Sequence, residues 1–134
     1  MSDIAPKPAD FGLPKNIVQS GGIGMEIVDE KMAGVNVLRL EGRLDAPSAK
    51  DFKEKVGELV QEKRLNLVID MAAIDFIDSS GLGSLVSALR SVNKLRGEIK
   101  IASLQDQVRA IFELTRLHRI FEIFDEREDA IKSF

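Results

Sequence analysis

Apolar residues along the chain switch between two spacings, and the switches mark out the elements. Residues 25–28 and 35–40 are short apolar-rich runs with the character of strands, and residues 29–34 between them read as a turn. Together they predict an antiparallel hairpin. Ala49, Phe52, Val56, Leu59 and Val60 then recur at helical spacing, with Lys50, Lys53, Glu54, Lys55 and Glu58 on the opposite face. That pattern predicts an amphipathic helix lying against a sheet, and Pro47 falls in its first turn, where a missing amide is tolerated. Leu65, Leu67, Val68 and Ile69 make a short buried strand that ends near Asp70. Leu82, Leu85, Val86, Leu89 and Val92 mark one face of a second helix running to about Leu95. Arg90, Lys94 and Arg96 near its end complement the helix dipole. Residues 98–102 read as a strand, 105–116 as a helix with Val108, Ile111, Phe112 and Thr115 inward, 119–124 as a last strand and 125–134 as a short closing helix. Strands alternating with helices after the hairpin call for crossover connections and a mostly parallel core sheet, an α/β fold.

Residues 1–24 break this order. Pro6, Pro8, Pro14, Gly12 and the glycines at 21, 22 and 24 interrupt any period, so an irregular or mobile tail is expected there, ahead of one domain over residues 25–134. A length of 134 residues suits a single domain. The net charge of −3 and the lack of a basic stripe with interleaved aromatics argue against direct nucleic-acid binding. With no cysteine there is neither a disulfide framework nor a thiolate metal site, which fits a reducing compartment. No apolar run is long enough to span a bilayer and the start lacks a signal-peptide pattern, so a cytoplasmic protein without membrane attachment is expected.

The chemistry concentrates in residues 74–84, Ile-Asp-Phe-Ile-Asp-Ser-Ser-Gly-Leu-Gly-Ser, where strand spacing gives way to helix spacing. Ser79 or Ser80 suits the N-cap, where a hydroxyl oxygen accepts from an unpaired amide of the first turn. Gly81 and Gly83 just inside add no bulk, and leave a helix end that another protein can approach closely, at a cost in helix propensity. A phosphate on Ser79 would bring about −1.5 to −2 charges to a place where free amides and the helix dipole favour anions. The fold would tolerate it. A partner surface fitted to the bare hydroxyl would instead meet bulk and a negative field concentrated by Asp75 and Asp78.

Ile77-Asp78-Ser79-Ser80-Gly81-Leu82-Gly83 resembles the phosphorylation loop of anti-sigma factor antagonists, the bacterial STAS domains. Glu41-Gly42-Arg43-Leu44-Asp45 resembles the family's Gly-x-Leu-Asp turn, and the resemblance extends from about Met25 to the end of the chain. It implies a four- or five-stranded sheet with helices chiefly on one side. It also implies that Ser79 is the phosphoacceptor and that Asp45, Asp78, Ser80, Gly81, Leu82 and Gly83 join it in the partner-binding surface. By the same resemblance the unmodified protein binds an anti-sigma factor that is also a serine kinase, which frees a sigma factor. Phosphorylation ends that binding, and a metal-dependent Ser/Thr phosphatase restores it. The nucleotide then belongs to the partner, and no cofactor is expected in this chain.

Plainer readings stand beside these. Ser79 as a cap that is never modified, Asp45 as a cap of the Pro47 helix, and the two glycines as close-packing residues would each suffice alone. Asp75 and Asp78 lack a histidine or third carboxylate at ligand spacing, so no metal site is expected. The single histidine, His118, is remote in sequence from Ser79, and no Gly-x-Ser-x-Gly elbow, dinucleotide fingerprint or Gly-Lys-Ser/Thr loop occurs. An enzyme is therefore not expected. Two rival functions remain: a STAS adaptor subunit of a lipid or anion transport assembly, and a small nucleotide or metabolite sensor using the Ser79 helix end and Asp45.

Overall fold

The computed structural model describes Ile17–Gln19 and residues 25–134. The expected tail over residues 1–24 otherwise lies outside the described residues. Among the described residues six strands form one sheet in sequence order: β1 (Ile17–Gln19), β2 (Met25–Met32), β3 (Val35–Leu44), β4 (Asn66–Ile77), β5 (Glu98–Ala102) and β6 (Glu122–Phe124). β1 and β3 both pair antiparallel with β2, and β3 to β6 run parallel. The parallel part is built by crossovers through α1 (Ala46–Gln61), α2 (Ser79–Asn93) and α3 (Asp106–Leu114), and α4 (Arg127–Lys132) closes the chain. A fifth strand and a hairpin at the N-terminal side agree with the expected α/β fold. The sixth strand is the three-residue β1 at the edge.

The hairpin is tighter than the residue pattern suggests. Met32 pairs with Val35, which leaves only Ala33 and Gly34 as the turn, at φ of 53° and 79°. Two central residues with positive φ are the signature of a type I′ turn, whose twist matches that of the strands it joins. Asp29 and Glu30, expected in the turn, therefore belong to β2.

Alternation along the strands serves two layers. Leu38 and Leu40 of β3, Leu67 and Ile69 of β4, and Ile99 and Ile101 of β5 face α1, α2 and α3, which contribute Phe52, Val56, Leu59, Leu85, Val92, Val108 and Phe112 to one continuous core. Val35, Val37, Val68 and Ala102 face the other way and are covered by Ala130 and Ile131 of α4 with Phe124. Three of the four α-helices described thus share one face, and burial on both faces accounts for the continuous apolar runs of the central strands. Thr115, expected inward, is exposed just past the end of α3. The segment 119–124 is a strand only over Glu122–Phe124, because a 3₁₀ turn, Leu117–Arg119, precedes it.

One charged residue of the expected solvent face of α1 lies inside. Lys55 is buried, with Nζ 3.1 Å from Asp29 Oδ2, and the Asn36 amide donates to Asp29 Oδ1 at 2.8 Å. A buried lysine is tolerated when paired and hydrogen-bonded in this way.

Candidate functional site

The site is made by two strand-to-helix junctions placed side by side. β3 and β4 are parallel neighbours in a register that sets Leu44 opposite Ile77, so Asp45 and Asp78 follow at the same edge of the sheet. The Asp78 amide donates to Leu44 O at 3.3 Å, which ties the second junction to the first. The N-termini of α1 and α2 therefore open together.

Asp45 caps α1. Its carboxylate accepts from the Ser48 amide at 3.4 Å, and the Ser48 hydroxyl oxygen accepts from the Asp45 amide at 2.9 Å, a reciprocal capping box. Ser48 is fully buried, and its hydroxyl lies 2.7 Å from Arg43 O. Partial burial pushes the Asp45 carboxyl up, but the bonds from Ser48 and the nearby Arg43 outweigh it, so the group titrates below its usual value of 3.8.

Asp78 caps α2, and this corrects the expectation that Ser79 or Ser80 would do so. Asp78 has extended backbone and its Oδ1 accepts from the Gly81 amide at 2.9 Å. Every residue of Asp78-Ser79-Ser80 is a short polar one, and the carboxylate is the stronger acceptor for a first-turn amide. Ser79 and Ser80 become the first two helical residues. Both are exposed, and neither hydroxyl has a hydrogen-bond partner among the described residues.

The two glycines differ in what they do. A Cβ on Gly81 would stand 2.2 Å from Leu44 O and 2.9 Å from Ile77 Cγ1, so the close approach of α2 to the end of β3 requires a glycine there. A Cβ on Gly83 would meet nothing within 4 Å. Gly81 is thus a packing residue that lies under the site, whereas Gly83 is exposed and leaves open space beside it. Leu82 is half-buried against the core.

Two features near the junctions escaped the sequence pattern. The Arg43 guanidinium stacks 4.0 Å from the centroid of the exposed Phe76 ring, on the strand ends that lead into Asp45 and Asp78. Between α1 and α2 a groove of about 400 Å³ is lined by Ala46, Ala49, Lys50, Lys53, Ser80, Gly83 and Ser84. His118 lies elsewhere, on the turn after α3, with Nδ1 3.4 Å from Phe112 O. Among the described residues no helix is long and apolar enough to cross a membrane, and no cluster of three or more His, Asp or Glu has metal-binding geometry.

A mixed sheet whose parallel part ends in paired helix N-termini carrying Asp45 and the Asp78-Ser79-Ser80-Gly81 junction defines a class of small α/β domain. The STAS domain family profile matches residues 26–130, and the chain belongs to that family. Among curated relatives, the chain is 30% identical over 101 residues to the anti-sigma-B factor antagonist of Listeria monocytogenes, covering 75% of this chain and 88% of the relative. It is 26% identical over 110 residues to the anti-sigma F factor antagonist of Paenibacillus polymyxa, covering 81% and 94%. The crystal structure of an anti-sigma factor antagonist from Mycobacterium paratuberculosis superposes with a TM-score of 0.74 at 26% identity, covering 81% of this chain and 92% of that one.

Proposed function

We propose that this protein is an anti-sigma factor antagonist whose binding to its partner is switched by phosphorylation of Ser79. The observation that carries the reading is the state of that serine: exposed, at the first helical position, with Asp78 already performing the capping for which a hydroxyl would otherwise be needed. The Ser79 hydroxyl has no structural work and is open to a kinase. The similarity to relatives that are anti-sigma factor antagonists supports the partner class.

In the unmodified state the twin helix ends bind an anti-sigma factor that also acts as the serine kinase, and its sigma factor is released. Asp45, Asp78, Ser79, Ser80, Leu82 and Gly83 form or border the contact surface, with Gly81 setting the height of α2 beneath it. A phosphate on Ser79 is accommodated by the helix N-terminus and leaves the fold intact, but it confronts the partner with bulk and negative charge. A difference of about 3 kcal/mol between the two states changes affinity over a hundredfold. A metal-dependent Ser/Thr phosphatase resets the switch. Nucleotide and metal belong to those partners, and this chain acts as a binding module in the cytoplasm.

Intact-mass measurement after incubation with ATP and soluble lysate from the protein's own source tests the reading. Wild type gains one phosphate and Ser79→Ala gains none. A Ser79→Asp variant keeps its melting temperature and loses partner binding. Failure of both proteins to gain phosphate in a kinase-active lysate, or undiminished binding by Ser79→Asp, overturns the switch.

A further inference from the structure

The groove between α1 and α2 is bordered on one side by Lys50 and Lys53, three residues apart and so on one face of α1. Both are exposed, and neither has an ion-pair partner among the described residues. Lys55 of the same helix is instead buried against Asp29. The floor is made of small residues, and the two that matter most are not dictated by the fold. Gly83 has open space where a Cβ would sit, and Ala46 is exposed. Glycine inside a helix is unfavourable relative to alanine, and here no packing contact offsets that cost. Ser84 turns its hydroxyl inward, donating to Gly81 O at 2.7 Å, so it offers the groove no competing polar group.

We infer that this groove receives an acidic segment of the protein partner, with Lys50 and Lys53 pairing its carboxylates and the Gly83 gap admitting its backbone closely. The inference rests on the partner-switch reading above and extends it to the chemistry of the partner's contacting surface. A face-to-face contact between the grooves of two copies is disfavoured by charge, since it would set the two lysine pairs against each other. The arrangement also gives Ser79 phosphorylation a second effect. Ser80 lines the groove and Ser79 adjoins it, so a phosphate there brings an anion into the field of the two lysines and weakens their attraction for the partner's carboxylates.

The test uses the purified anti-sigma factor kinase from the protein's own source as the probe, titrated calorimetrically at two salt concentrations. Variants are Lys50→Glu with Lys53→Glu, the neutral pair Lys50→Gln with Lys53→Gln, and Lys94→Glu at the far end of α2 as control. Thermal melting confirms that each is folded. Charge reversal is expected to weaken binding tenfold or more, the neutral pair less, and the control under twofold, with the salt dependence of affinity diminished in both groove variants. If wild type binds and takes phosphate on Ser79 while the reversed pair binds equally well, the groove inference falls and the switch stands. If wild type neither binds the kinase nor is phosphorylated by it, both fall. A reversed pair that changes self-association by sedimentation, with kinase binding untouched, assigns the groove to a second copy and likewise overturns the inference.

Discussion

The two junctions that meet at the edge of the sheet share a plan and differ in how much of it is closed. Both run from a parallel strand through an aspartate N-cap into a helix, and in both the aspartate accepts from the amide three residues on. At Asp45 the box is reciprocal: Ser48 is buried, Pro47 stiffens the first turn, and the serine hydroxyl is tied to Arg43 O. At Asp78 the corresponding third position is Gly81, which returns no side-chain bond, and the two serines in between are exposed and unengaged. A closed junction anchors the neighbouring one, so that the open one can present exposed, unengaged hydroxyls without loosening the fold.

The comparison is broken most severely at Gly81. Its replacement by alanine forces a methyl against the Leu44 carbonyl, which is backbone and cannot swing aside. A loss of about 3 kcal/mol is expected, in the range of overpacked cores, and is read as a lower urea midpoint. A midpoint unchanged from wild type would mean that α2 lifts off the sheet without cost.

Removing the caps separates the two junctions more gently. Asp45→Ala is expected to cost about 2 kcal/mol, because it removes the carboxylate half of the capping box and leaves the buried Ser48 amide and hydroxyl without that acceptor, and Asp78→Ala about 1 kcal/mol. Urea unfolding of both variants checks the order. The acid side sharpens it further. The Asp45 carboxyl titrates below 3.8 in the folded chain, so its ionised form favours folding. That contribution is fully present above the unfolded value and is lost as pH falls through the folded one. The stability gap between wild type and Asp45→Asn should accordingly hold at neutral pH and close below pH 3.8.

Gly83→Ala moves the opposite way. With nothing within 4 Å of the new methyl, helix propensity alone applies, and a gain of up to about 1 kcal/mol in unfolding free energy is expected alongside weaker partner binding. A destabilised variant would show that the glycine serves packing after all. The smallest effect belongs to Ser79→Ala, expected within about 0.5 kcal/mol of wild type in thermal unfolding, because the hydroxyl it removes holds nothing.

Much of this architecture is written in local pattern. The three-and-four spacing of Phe52, Val56 and Leu59, and of Leu85 and Val92, placed α1 and α2 and their inner faces, since a helix can bury only one stripe. The order of strands and helices implied the parallel part of the sheet, and the Asp-Ser-Ser-Gly-Leu-Gly run marked the junction between β4 and α2. Boundaries fared less well. β4 extends past Asp70 to Ile77, and the hairpin turn shrinks to Ala33 and Gly34, because pairing with a neighbouring strand recruits residues of weak strand character.

What the chain could not decide by itself were choices between chemically similar residues and contacts between distant ones. Asp78, Ser79 and Ser80 are all good caps, and only the approach of α2 to Leu44 settles which of them turns its side chain to the Gly81 amide. Gly81 and Gly83 are identical in sequence terms and opposite in role, because one faces the end of β3 and the other faces open space. Lys50, Lys53 and Lys55 all read as surface charges of one helix, yet Lys55 meets Asp29 across the sheet while the other two border the groove beside α2. Periodicity is a property of neighbours along the chain, so it was available from the start. Burial, clash and charge pairing depend on residues dozens of positions away, and they exist only once the register of β3 against β4 has brought the two junctions together.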